Sequence, residues 1–86
     1  MTVYDFYADW CNPCKSLAPI LEKVTSERNI EVKKINIEED MEDLAIEYGI
    51  RNIPTVIVID DNDNELKRFT GTKTETDLNK FFDELS

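Results

Sequence analysis

Apolar and polar positions recur with two different periods along these 86 residues, and the switches between them outline the elements of the chain. Residues 2–7, TVYDFY, are β-branched and aromatic and predict a strand. One charge, Asp5, sits inside that run, where a charge is out of place. From Asn12 to about Arg28 the period becomes helical, with Leu17, Ile20, Leu21 and Val24 three or four positions apart. Pro13 falls in the first turn, where a missing amide hydrogen is harmless. Pro19 lies inside the helix and is expected to kink it. Residues 30–37, IEVKKINI, read as a second strand. Glu39 or Asp40 is placed to cap a short helix whose Met41, Leu44, Ala45 and Tyr48 share one face, and Gly49 is placed to end it. The run TVIVI at 55–59 is the most strand-like in the chain and belongs at the centre of a sheet. Asp60 to Asn64 has turn composition, and Glu65 to Phe69 returns as a fourth strand. Thr74 with Asp77 resembles a capping box, and Leu78, Phe81, Phe82 and Leu85 give the last helix a core-facing stripe.

The order is β-α-β-α-β-β-α, an α/β arrangement. The first strand–helix–strand crossover predicts two parallel strands joined right-handedly. The tight turn at 60–64 makes the last two strands antiparallel. A four-stranded mixed sheet flanked by helices on both faces follows, as one domain over residues 1–86.

Charge narrows the functions. Ten basic against nineteen acidic residues leave a net charge of -9. That balance argues against nucleic acid, which demands clustered Lys and Arg, as a partner, and equally against an anionic membrane surface. The acid excess reads first as solubility, with selection of basic partners as the alternative. No stretch approaches the ~20 apolar residues of a membrane span, and residues 1–10 lack the basic start and apolar run of a secretory signal, so the expected location is cytoplasmic.

The two cysteines are Cys11 and Cys14. A disulfide closing so short a loop constrains little of the unfolded chain, so a stabilising staple explains them poorly. Their position, where the first strand meets the first helix, explains them better. Cys11 falls at the helix N-terminus, where unpaired amide hydrogens and the helix dipole favour a thiolate. Its acidity should fall below the free value of ~8.5. Cys14, one turn on, is expected to be the more buried. An exposed attacking thiol beside a shielded resolving thiol is what two-step disulfide exchange needs. The alternatives are half of a zinc site and two incidental core cysteines. Zinc wants four ligands, and with no further Cys and no His only carboxylates remain to complete the set. Asp5, in an apolar strand, should lose hydration and become less acidic. It is then placed to accept the proton that Cys14 loses; the alternative is a buried acid satisfied by a nearby Lys, and the two are compatible.

The segment VYDFYADWCNPCKSLAPIL, Val3 to Leu21, resembles the active-site strand and helix of thioredoxins. The resemblance continues through KINI at Lys34 to Ile37, YGIRNIPT at Tyr48 to Thr55, and Gly71 before the last helix. It covers nearly the whole chain in one order. It implies a thioredoxin-like fold, with Cys11 as nucleophile, Cys14 as resolving thiol, Asp5 as the buried acid behind them and Lys34 as the lysine beside that acid. It implies a cis Ile53-Pro54 bond facing the disulfide, and a substrate rim of Trp10, Ile53, Pro54, Thr70 and Gly71 together with Thr72. Backbone at Ile53 would pair with an extended client strand. The implied cofactor set is empty, the redox group being the Cys11–Cys14 disulfide itself.

Departures from the family temper these implications. Asn12-Pro13 stands where thioredoxins usually carry Gly-Pro, so the dipeptide that tunes the thiolate differs. No His separates the cysteines, as it usually does in the oxidase and isomerase types. Glutaredoxins typically place Pro-Tyr there. The strand and helix that usually precede the active-site strand have no counterpart ahead of residue 2, so strand 30–37 is expected at a sheet edge, guarded by Glu31, Lys33 and Lys34. Asn52, Thr70 and Thr72 make the rim more polar. The expected function is a protein-disulfide reductant, monomeric and recharged by a thioredoxin-reductase-type donor. Its clients would be disulfide-forming enzymes such as ribonucleotide reductase or a peroxidase. The alternatives are a glutaredoxin-like or oxidase/isomerase-type enzyme, and a non-enzymatic binding subunit.

Overall fold

A computed structural model describes residues 1–39 and 42–85. Asp40 and Met41, expected in the cap and on the inner face of the second helix, lie outside the described residues. The elements are β1 (Thr2–Tyr7), α1 (Asn12–Glu27), β2 (Glu31–Asn36), α2 (Glu42–Glu47), β3 (Thr55–Ile59), β4 (Glu65–Thr70) and α3 (Glu75–Asp83). The sheet runs β2-β1-β3-β4. β1 and β2 are parallel, joined by the α1 crossover, and the other two pairings are antiparallel. The element order, the parallel β1–β2 pair, the antiparallel β3–β4 pair and the edge position of β2 are those expected from the sequence; the antiparallel β1–β3 pairing is added by the structure.

Side chains alternate across the sheet. Val3, Val56 and Val58 meet Leu17, Leu21 and Val24 of α1 and Leu78, Phe81 and Phe82 of α3. Phe6, Ile35, Ile57 and Ile59 turn the other way, towards Ala45 of α2 and the rings of Tyr4 and Tyr48. With both faces covered, all five residues of β3 are buried, which is why its sequence is an unbroken apolar run rather than an alternating one. Leu85 still packs on the core, although α3 ends before it.

The connections are local. The Asp60 carboxylate accepts from the backbone N–H groups of Asn62 (2.8 Å) and Asn64 (2.9 Å), closing the β3–β4 turn. α2 is stopped just beyond Glu47 by Gly49, whose φ of +64° suits a residue without Cβ, and the Ile50 N–H returns to the Ala45 carbonyl. At the far end of α1, the Arg28 guanidinium donates to Asn79 and to the Asp83 carboxylate (2.8 Å) and lies over the Phe82 ring, tying α1 to α3.

Candidate active site

The site begins where β1 hands over to α1. The Cys11 N–H donates to the Ala8 carbonyl (3.1 Å), turning the chain, and Cys11 then serves as the N-cap of α1 with extended backbone. Its Sγ accepts from the Cys14 N–H at 3.2 Å. Pro13 occupies the first turn, and no acidic residue does. The positive end of the helix is therefore directed at the sulfur with no carboxylate in the first turn to compensate it. One turn brings Cys14 back over Cys11. The two are joined in a disulfide with Cα atoms 5.3 Å apart, so neither sulfur is a free metal ligand in this state.

Burial departs from expectation. Cys11 is 4% and Cys14 5% exposed, so the attacking residue is as covered as its partner. Ala8, Tyr7, Ile37 and Ile53 pack around the pair. These come from three separate parts of the chain and close over the capping residue once the helix is docked.

Asp5 lies behind the disulfide, 4% exposed. Burial pushes its carboxyl up to about 6, a rise partly offset by the charge of Lys34. Lys34 is its direct partner across the parallel β1–β2 pair and is itself exposed. A cavity of about 180 Å³ is lined by Asp5, Tyr7, Ala8, Cys14, Ala18 and Lys34 among others. Asp5 and Cys14 thus open onto one space roomy enough for several waters, as a proton relay requires.

The rim is assembled from four stretches of chain. Trp10 is 64% exposed, yet its indole N–H is fixed by the Glu38 carboxylate at 2.8 Å. Beside it lies a hollow of about 280 Å³ lined by Trp10, Ile37, Ile46, Ile50, Arg51 and Ile53. The Ile53-Pro54 bond is cis, Pro54 is buried, and Ile53 packs on the disulfide cluster. Gly71, at φ +83°, donates its N–H to the Pro54 carbonyl (2.9 Å), which brings the β4–α3 loop to the proline corner. Thr70 pairs with Thr55 in the sheet, and its side chain is exposed. Thr72 turns away, into a separate hollow with Ser16, Leu17 and Ile20. Asn52 stands exposed beside Ile53 and accepts from the Thr55 hydroxyl. Glu38, Ile46 and Arg51 join the rim without a signal of their own in the sequence. The only trace of Glu38 is its place directly after the KINI segment, and nothing singles it out among nineteen acids.

Comparison with known proteins decides the family. The thioredoxin family model matches residues 1–84. The chain is 43% identical over 82 residues to the thioredoxin of Buchnera aphidicola, spanning 93% of this chain and 74% of that one. The chain belongs to the thioredoxin family. Mouse mitochondrial thioredoxin is 41% identical over 85 residues, and this chain spans 50% of its length. Among solved structures, a mutant thioredoxin from Halobacterium salinarum superposes with a TM-score of 0.86 at 32% identity, covering 98% of this chain and 73% of that one. Thioredoxin 1 from Thermosipho africanus, at 23% identity, shares the fold with a TM-score of 0.85. Cys11 and Cys14 are accordingly the redox pair of a thioredoxin-type thiol–disulfide oxidoreductase, and the sulfur arrangement above is that pair in its oxidised form.

Proposed function

We propose that this chain reduces disulfides of client proteins by cycling Cys11 and Cys14 between dithiol and disulfide. The observation that carries the reading is the pairing of a disulfide on an acid-free helix start with a buried acid that shares the cavity of Cys14. In the reduced protein, the Cys11 thiolate attacks one sulfur of a client disulfide. The client S–S bond breaks and its electron pair leaves with the other client sulfur. Cys14 then gives its proton to the Asp5 carboxylate through water and attacks Cys11. The Cys11–client bond breaks, the second client sulfur departs with the electrons, and the disulfide seen here is formed. Lys34 keeps Asp5 from becoming too weak an acid to let the proton go.

Clients dock as extended segments along Ile53, with Trp10, Pro54, Thr70 and Gly71 as the rim and the hollow beside Trp10 receiving an apolar side chain. A thioredoxin-reductase-type donor in a reducing, cytoplasmic compartment returns the pair to the dithiol. Enzymes that form a disulfide at each turnover, such as ribonucleotide reductase or a peroxidase, are the fitting clients of a monomeric carrier.

The test is the reduction potential of the pair against a dithiol buffer. A value near ~ -270 mV is expected, and one above ~ -200 mV would place the protein with oxidases and isomerases instead. Cys14→Ser should in addition hold clients on Cys11 as mixed disulfides that survive non-reducing electrophoresis.

A further inference from the structure

The cavity that Asp5 shares with Cys14 is one of two that end on this acid. The second, about 420 Å³, runs between α1 and β2, walled by Leu21, Ile30 and Val32 with exposed Glu22 and Ser26 beside them. Asp5, Ala18 and Lys34 line both. The two spaces therefore meet at the carboxyl group. The larger one runs along β2, the edge strand of the described sheet. Trp10, Ile53, Pro54, Thr70 and Gly71, the client rim, line neither space.

Asp5 is 96% removed from the surface and its carboxyl receives no hydrogen bond from a described residue; burial and the charge of Lys34 are what act on it. A buried carboxyl without protein donors needs water. Both spaces exceed the ~10–15 Å³ that one water requires. The chemistry adds a second demand. When Cys14 resolves the mixed disulfide, its S–H bond breaks and an O–H bond forms on Asp5. That bond must then break, with the proton passing to water, before the next client is resolved.

We propose that the α1–β2 groove is the solvent port of Asp5, through which the proton taken from Cys14 reaches bulk water while a client still covers the sulfurs. The chemistry rests on the reductant reading above; the hydration of Asp5 through the groove does not. Val32, on the strand neighbouring Asp5, is then a positioning residue, since its bulk sets how much water reaches the acid. The charged or titratable groups facing Asp5 are Lys34 from β2, Lys15, Glu22 and Cys14 from α1, and Tyr7 and Asp9 from β1 and the loop after it. β3 contributes Val56, which is uncharged. Val32→Phe fills the groove and alters none of these.

The experiment follows the Asp5 carboxyl carbon by NMR titration of the whole oxidised chain, unaltered and Val32→Phe. The variant should move the Asp5 midpoint upward by ~0.5 pH unit or more, about threefold in the proton equilibrium. Client release from a preformed mixed disulfide near pH 6 should slow by a similar factor, with attack by Cys11 at pH 8 unchanged. A folded variant in which Asp5 titrates as before overturns the port. A shifted midpoint with an unchanged release rate leaves the hydration of Asp5 through the groove standing and overturns its use as a proton route, a failure distinct from the first. Should Val32→Phe not fold, Cys14→Ser with Val32 intact decides, held as a mixed disulfide between Cys11 and a client peptide. Water-to-methyl cross-relaxation at Leu21 and Val32 supports the port, and its absence overturns it.

Discussion

α1 and α3 begin with the same local device and use it for opposite ends. Each N-cap side chain accepts from the backbone N–H three residues on: Cys11 Sγ from Cys14 at 3.2 Å, and Thr74 Oγ from Asp77 at 3.1 Å. α3 then fills its first turn with Glu75 and Asp77, which neutralise the positive end of the helix. α1 has no acid there. Its nearest carboxylate in the strand before it, Asp5, is buried and held towards its neutral form. A capped and neutralised helix start is structure alone, whereas a capped start left electrically open is a place to stabilise an anion, here the Cys11 thiolate.

The contrast can be broken from either side. The largest effect is expected from Asp5→Asn. The folded carboxyl titrates near 6 rather than 3.8, so the unfolded chain ionises first as pH rises. Folding stability is therefore lost between about pH 4 and pH 6, and above that Asp5 costs about 3 kcal/mol, which Asn avoids. Asp5→Asn should raise stability in urea at pH 7.5 by about that amount and not at pH 3.5. In the same variant, resolution by Cys14 at pH 7 should slow by ~100-fold. Thr74→Ala removes the structural cap and should lower stability by ~1 kcal/mol with no change in the reduction potential. Asn12→Asp makes the reactive start resemble the other. A carboxylate in the first turn weakens the helix field by ~0.3–1 kcal/mol, which should raise the Cys11 thiol by ~0.5 pH unit. The potential should move in the reducing direction, as read by thiol titration and equilibrium with a dithiol buffer.

The features legible in the sequence are those carried by neighbours along the chain. TVIVI announces the buried β3, the spacing of Leu78, Phe81 and Phe82 announces the inner face of α3, and the place of Cys11 between strand and helix announces a thiol at a helix start. Asp5 stands out because a charge interrupts apolar residues. What remained hidden depends on residues brought together by packing. The cover over Cys11 comes from Ile37 and Ile53 as well as its own turn. The brace on Trp10 comes from Glu38, 28 positions away. The junction of two cavities at Asp5 needs Ala18 and Lys34 beside it. No periodicity encodes such meetings, because each partner also satisfies the ordinary pattern of its own element.

The Arg28 contacts with Asn79, Asp83 and Phe82 give α1 an anchored base, and its 16 residues then reach about 24 Å to the sulfurs. The helix is in effect a cantilever loaded at its tip. Forming and opening the disulfide works on the first turn alone, while the base stays clamped to α3, so the reactive end can be reset at every cycle without the rest of the layer being taken apart.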